Sequence, residues 1–586
     1  MIPRISGNDY RSLTPAELGA WTPSLRVSVV VPAYGGQDKL DLVLAGLAGQ
    51  TYPAGLTEVV VVDNGSEPPL RLPDLRPPGT RLVACATPGR AHARNAGLRA
   101  ATGDVIHWLD SDVVLDRRSV EAHMRWHHAA PYLAVTGYLR FTPAPPPTPE
   151  AVAAAADLAD LFEPAEPHAW LVDLIERTGG LTGNPPRPFS LHVGGATSVN
   201  AALLAQAGPM DTDLVLGQDT EMGYRLAQAG AVFVPEPLAR AFHLGPTMRM
   251  RDKAPIDRVS HAFVADRIPA YRWLRSHPAR QWKVPYLEVV VESACDPGEN
   301  GPGHEEVRGE GGPGYEEVRA TVDAVLAGTV PDVVVTVPGP WDRLRADDRA
   351  PLASPDLAAV LIRGHYAHEP RVRFTLASPP PAVPAVPYPA DDGGGPEPWA
   401  GVPYRLRLPP GWVPDEDSLA RLLDLAGEEG YGLVSVLLAE GPGTTIVAAR
   451  LERTAAFARA AIVRAEGECL DDAVEDTFGT VWVDGETYGF LPEARPLTGR
   501  RSAYRSRVEA RAEVARLAGE TVRLTGEVER LRGQVTRWRE EAGSWRKSAV
   551  EMRREVGGLR KELAAARKVV QYGLLSSVKR VITRRR

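Results

Sequence analysis

Cysteine is scarce in this sequence: 586 residues hold only Cys85, Cys295 and Cys469, far apart and odd in number. That excludes a disulfide framework and any CxxC metal site, so a reducing, cytoplasmic setting is expected. A basic surplus is also missing, with 67 Lys and Arg against 74 Asp and Glu and a formal net charge of -7. No global field of the kind that gathers nucleic acid results, and no nucleic-acid partner is expected. There is no apolar run of about 18 residues that could span a bilayer. The opening MIPRISGNDYRSLTPAELGAW lacks the charged-then-apolar pattern of a signal peptide. Any membrane contact should therefore be peripheral.

What is present is ample apolar material, 44% of residues, enough for about three to four domains at this length. RVSVVV (26–31) and EVVVV (58–62) are β-branched runs closed by turn-formers, and Leu40, Val43, Leu44 and Leu47 recur between them at helical spacing. Strand, helix, strand predicts a parallel α/β sheet covered on both faces, with ligands at the carboxyl ends of the strands. A third run, Asp104–Leu109, ends in Asp110-Ser111-Asp112 on that same rim. On extended chain the two carboxylates point the same way, about 7 Å apart. Either the strand has ended in a turn or helix cap, or a Mg²⁺ or Mn²⁺ ion belongs between the acids, with positions left open for phosphate oxygens. Upstream, Gly89-Arg90-Ala91-His92-Ala93-Arg94-Asn95-Ala96-Gly97 supplies guanidinium groups at a helix start, where diphosphate could be held; a solvated helix start is the other reading.

Taken in order, several segments resemble the motifs of family 2 glycosyltransferases of the GT-A (Rossmann-like) fold. They are Val31-Pro32-Ala33-Tyr34, Gln50-Thr51-Tyr52-Pro53, Val62-Asp63-Asn64-Gly65-Ser66, Ala93-Arg94-Asn95-Ala96-Gly97, Gly103-Asp104, Leu109-Asp110-Ser111-Asp112 and Gly217-Gln218-Asp219-Thr220-Glu221. The resemblance covers residues 25–250. It implies sugar transfer from a nucleotide-diphosphate donor to an acceptor hydroxyl with inversion, dependent on Mn²⁺ or Mg²⁺, in cell-surface or secondary glycan synthesis. The acceptor class, a glycan, a lipid-linked group or another hydroxyl, stays open.

Carried over by position, Pro32, Tyr34 and Asp63 line the nucleotide pocket, with Asp63 on base or ribose. Arg94 approaches the diphosphate, Asp110 sits near ribose or metal, and Asp112 ligates the metal. His243 is either a metal or diphosphate contact or an ordinary strand-end histidine. Gly194 and Gly195 either let backbone approach the donor closely or mark a tight turn. Asp219 matches the catalytic base and Glu221 is its reserve, unless both merely cap the helix expected at 220–229. The family usually has an acidic residue before that aspartate; here it is Gln218.

The expected organisation is an N-terminal arm (1–24), the GT-A domain (25–283), a degenerate, non-catalytic GT-A-like α/β domain (284–500), a coiled coil (501–573) and a basic amphipathic tail (574–586). The second domain rests on two echoes. Val325–Val335 resembles the first helix-to-strand passage, and Leu406–Leu419 lays Pro409 and Gly411 where Asp110 and Asp112 stand; coincidental α/β patterning is the alternative. In the rod, a positions from Val514 to Leu563 and d positions from Leu517 to Ala566 all lack charge. β-Branched a with leucine d favours a parallel homodimer, against a helix folded back on its own domains. Leu574, Leu575, Val578, Val581 and Ile582 share one face of the tail, which could lie on an anionic membrane or pack on the protein. The rival reading of the whole is an inactive GT-A-like assembly protein.

Overall fold

The computed structural model describes residues 2–275, 280–291, 314–344, 356–376, 378–379, 401–440, 446–493 and 497–583, with residues 352 and 354. Of the Pro/Gly-rich stretches 296–314 and 379–398, expected to be mobile loops, all but residues 314 and 379 lie outside the described residues.

The first two apolar runs become β1 (Val27–Ala33) and β2 (Thr57–Asp63), parallel neighbours with Val27 opposite Thr57. Alternate residues feed different cores. Val30, Val60 and Val62 join one cluster, while Val29, Val31, Val59 and Val61 join another on the opposite face. Burial on both faces is why these strands are apolar without alternation. The first sheet is completed by β3 (Thr80–Ala84), β4 (Val105–Leu109), β5 (Val113–Leu115), β6 (Leu133–Thr142), β7 (Glu166–Pro167), β8 (Ala196–Asn200) and β9 (Val232–Leu244). Its order is β3-β2-β1-β4-β8-β6-β9-β5, with β7 paired to β6. β3, β2, β1 and β4 run parallel, whereas β8 is antiparallel to both β4 and β6. This curled mixed sheet, with helices α1 (Gln37–Ala48), α2 (Arg90–Ala100) and α3 (Ser119–Ala129) following β1, β3 and β5, is a GT-A α/β domain.

A second sheet contains β10 (Leu287–Val290), β11 (Val333–Pro338), β12 (Val372–Thr375), β13 (Tyr404–Arg407), β15 (Leu433–Glu440), β16 (Ile446–Arg453) and β17 (Thr480–Asp484). A small ribbon pairs β14 (Trp412–Pro414) with β18 (Phe490–Pro492). The order β12-β11-β10-β13-β16-β15-β17 follows the first sheet position for position, and the strand senses agree at each step. Backbone bonds recur as well. Thr51 N–H donates to the Arg117 carbonyl at 2.8 Å, and Thr329 N–H to the Glu416 carbonyl at 2.7 Å. Asp116 N–H donates to Arg240 at 3.0 Å, and Asp415 N–H to Gly489 at 2.9 Å. Val30 lies opposite Trp108 and Val290 opposite Arg407, so two residues past each strand Pro409 takes the place of Asp110, and Gly411 that of Asp112.

Both sheets belong to one compact unit, Met1–Ala494. The N-terminal segment is not a free arm. Ile5 is fully buried, and Asn8 exchanges hydrogen bonds with Phe233, donating to its carbonyl at 2.9 Å and accepting from its N–H at 2.8 Å. Gly7 N–H reaches the Thr477 carbonyl in the second domain at 2.8 Å. The other unit, Arg495–Arg586, is dominated by one uninterrupted 87-residue helix, Leu497–Thr583. The expected rod and tail are thus continuous backbone, and the tail's apolar face falls on side chains outside the described ones. Among the described residues no helix is long and apolar enough to cross a membrane.

Candidate active site

A cleft of about 910 Å³ opens at the carboxyl ends of the parallel strands, lined among others by Pro32, Tyr34, Asn64, Arg94, Asp110, Asp112, Gly194, Asp219 and His243. Most of the residues expected from sequence thus meet in one place, although they come from six separate stretches of chain.

Arg94, nearly buried in α2, donates to the Asp110 carboxylate at 2.8 Å and to the Gly194 carbonyl at 3.1 Å. Backbone presses directly on this pair. A Cβ at Gly194 would stand 2.5 Å from the Arg94 guanidinium, and one at Gly195 would stand 2.8 Å from an Asp110 oxygen. Both glycines lie in a turn that presses backbone onto this pair, although Gly195 supports the cleft without lining it.

Asp112 is partly exposed, with Lys39 Nζ 3.4 Å from one oxygen and His243 Nε2 3.5 Å from the other. The His243 Nδ1 lies 2.7 Å from the Gly245 carbonyl, which turns Nε2 toward the Asp112 carboxylate. An imidazole nitrogen and a carboxylate oxygen so placed are both donor types that a divalent cation accepts. Among the described residues no three His, Cys, Asp or Glu side chains already form a coordinating cluster, so phosphate oxygens would have to complete the shell of any metal held there.

Asp219 lies in the first turn of the helix Gln218–Gln228, entered through Gly217 at φ 88°, a left-handed value suited to glycine. One Asp219 oxygen accepts from Thr220 N–H at 2.9 Å; the other has only a long contact, 3.4 Å, from Gly194 N–H. The N-cap, Gly217, offers no side-chain bond, so one Asp219 oxygen serves a first-turn N–H while the other is left without a close partner. Behind it His192 donates from Nδ1 to the Asp219 carbonyl at 2.8 Å, and burial pushes this imidazole down to about 4.

Two expected residues face elsewhere. Glu221 is buried and grips Arg225 at 2.6 and 2.8 Å, one helical turn on, and Arg225 in turn binds the carbonyls of Ala207, Gly208 and Pro209. Glu221 is thus a structural carboxylate and no reserve base. Asp63 accepts from Ser66 N–H at 2.9 Å and Leu70 N–H at 3.0 Å, closing its own loop, and its neighbour Asn64 reaches the cleft instead. Burial opposes ionisation of Asp63, but its hydrogen bonds from Ser66, Leu70 and Gly65 outweigh that and hold it below the usual carboxylate value.

The cleft also holds Arg90 of the expected diphosphate stretch, and Lys39, Arg187, Tyr271 and Trp273, which the motifs did not single out. Lys39 sits in the first turn of α1, where a basic residue beside the rim was a usable signal. Tyr271 and Trp273 lie past residue 250 and had none.

A mixed sheet with an acidic strand end, a buried arginine beside it and a carboxylate-bearing helix opposite defines the GT-A transferase class. Residues 28–152 match the profile of Glycosyl transferase family 2. The chain is similar to pre-mycofactocin glycosyltransferase of Mycobacterium tuberculosis (strain H37Rv), 27% identical over 229 residues, 38% of this chain and 43% of that protein. It is also similar to chondroitin synthase of Escherichia coli, 23% identical over 379 residues, 59% of this chain and 50% of that one. It therefore spans half the length, or less, of these curated relatives. Among solved structures, the mannosyltransferase PcManGT from Pyrobaculum calidifontis, in complex with GDP-Man and Mn²⁺, is 21% identical over 46% of this chain and 71% of its own, with a TM-score of 0.29.

Proposed function

We propose that the chain moves a sugar from a nucleoside-diphosphate donor to an acceptor hydroxyl, inverting the anomeric carbon. The observation that carries this reading is the single cleft in which Arg90, Arg94, Asp110, Asp112, His243 and Asp219 converge. The residues fit a Mn²⁺ or Mg²⁺ ion, which Asp112 and His243 would hold with Asp110 beside them. When bound, such an ion neutralises charge on the departing diphosphate. Arg94 and Arg90 add guanidinium donors for phosphate oxygens. Across the cleft, the Asp219 oxygen that lacks a close partner takes the proton of the acceptor hydroxyl as its oxygen bonds to the anomeric carbon and the bond to diphosphate breaks. Attack and departure on opposite sides give inversion without a covalent intermediate.

The second domain is inferred to be a degenerate copy of the first. Its order, strand senses and backbone bonds repeat, while Pro409 and Gly411 offer no side-chain oxygen for a metal. The long helix is inferred to pair with a second copy of the chain through its apolar a and d positions.

The test is nucleoside-diphosphate release from a panel of UDP- and GDP-sugars with Mn²⁺ or Mg²⁺. Asp219→Asn should lower transfer by about 10²–10⁴-fold, and Asp112→Ala should abolish it, both with unchanged circular dichroism. No donor broken down by the wild type, or full rate in Asp112→Ala, overturns the reading.

A further inference from the structure

Trp273 lines the cleft yet keeps 55% of its surface exposed. An exposed tryptophan at the mouth of a polar cleft is apolar surface left without a partner. The ring is nevertheless held in place. The Arg187 guanidinium carbon stands 4.5 Å from its centroid, and the Tyr271 ring lies 4.7 Å away at an interplanar angle of 44°. Arg187 is itself at φ 56°, and among the described residues only Leu181 is another non-glycine with positive φ. A strained backbone that aims a guanidinium onto an indole marks a place where the surrounding structure insists on one arrangement. Tyr271 lines the same cleft as Asp219. Burial raises its phenol above the usual value, and the nearby Asp219 carboxylate adds to the rise.

We propose that Trp273, steadied by Arg187 and Tyr271, is the platform on which a pyranose ring of a saccharide acceptor packs beside Asp219. This deepens the glycosyl-transfer reading and rests on it. A pyranose presents a face of C–H bonds that matches an aromatic surface, while its edge hydroxyls need polar neighbours, which Arg187 and Ser190 supply. A lipid alcohol would call for a continuous apolar channel, and a serine side chain has no ring to stack.

Saturation-transfer NMR on the full chain, with methyl glucoside, galactoside, mannoside, N-acetylglucosaminide and glucuronide as probes, tests the platform directly. At least one glycoside should receive saturation on the C–H face of its ring. Its affinity should fall about tenfold in Trp273→Ala and recover in Trp273→Phe. Binding of UDP or GDP with Mn²⁺ should be the same in all three proteins. No saturation of any glycoside in the wild type, or equal affinity in Trp273→Ala, overturns the platform. Loss of glycoside binding together with nucleotide binding also overturns it, since the substitution would then act on the whole cleft. If glycosides bind through Trp273 but no donor is broken down, the platform stands and the glycosyl-transfer reading is what fails.

Discussion

Glu221 and Asp219 are two residues apart in sequence and do opposite work. A helix turns by about 100° per residue, so positions two apart point to different sides. Asp219 falls on the cleft side, while Glu221 is turned inward onto Arg225 with side-chain exposures of only 5% and 3%. Removing one partner of a buried ion pair leaves the other charge uncompensated. Glu221→Gln should therefore cost about 3 kcal/mol or more of unfolding free energy, measured by urea denaturation. Donor breakdown at a temperature where the variant is folded should stay within a few-fold of wild type. A stable variant that has lost activity would return Glu221 to the chemistry. The motifs placed Asp110, Asp112 and Asp219 in one cleft, because strand-end and helix-start positions follow from local pattern. They could not say which way Asp63 and Glu221 face, since that depends on Leu70 N–H and Arg225 coming round to meet them.

At the scale of elements, legibility follows how local the cause is. β1 and β2 were readable because their valines fill two cores at once. β9 was harder, since its 13 residues include Pro235 and Pro237. Proline suits a strand only where an N–H is not needed. β5 pairs with β9 only from Ala241 to His243, and the pairing with β6 skips from Glu236 to Arg240, so Pro237 has no partner on either side and Pro235 only Thr136 of β6. That exemption is a tertiary fact. The long helix is the opposite case, because a heptad is written in the sequence itself. In the single chain Leu517, Leu524, Val528, Leu531, Val535, Trp538, Trp545, Met552, Val556, Leu559 and Leu563 are 43–74% exposed, a seam about 130 Å long at most if the whole helix takes part. Burying it between two chains removes that apolar surface from water. Light scattering should find a dimer, and Leu524→Glu combined with Leu531→Glu should give a monomer with its globular unit intact. A wild type that stays monomeric at micromolar concentration would discard the pairing.

At the scale of the molecule, the two sheets share an order but not the residues on their rims. The helix that carries Asp219 is fastened from behind by the second domain: the Tyr224 hydroxyl donates to the Gly401 carbonyl at 2.5 Å. Nearby, the fully buried Arg459 donates to the carbonyls of Gly230 and Ala231, each at 2.9 Å, and to those of Ile5 and Gly7. Burial pulls this guanidinium down to about 10, so it is a costly group kept at a junction of the N-terminal segment, β9 and the second domain. In the second sheet the counterpart of Asp63, counted from the paired strands, is Gly339, and those of Asp110 and Asp112 are Pro409 and Gly411. None of these three positions offers a side-chain oxygen to a cation. Titration calorimetry with UDP and GDP in the presence of Mn²⁺ should therefore find one nucleotide per chain, and Asp112→Ala should remove it entirely. A second equivalent surviving in Asp112→Ala would show that the second sheet binds nucleotide by chemistry other than that of the first.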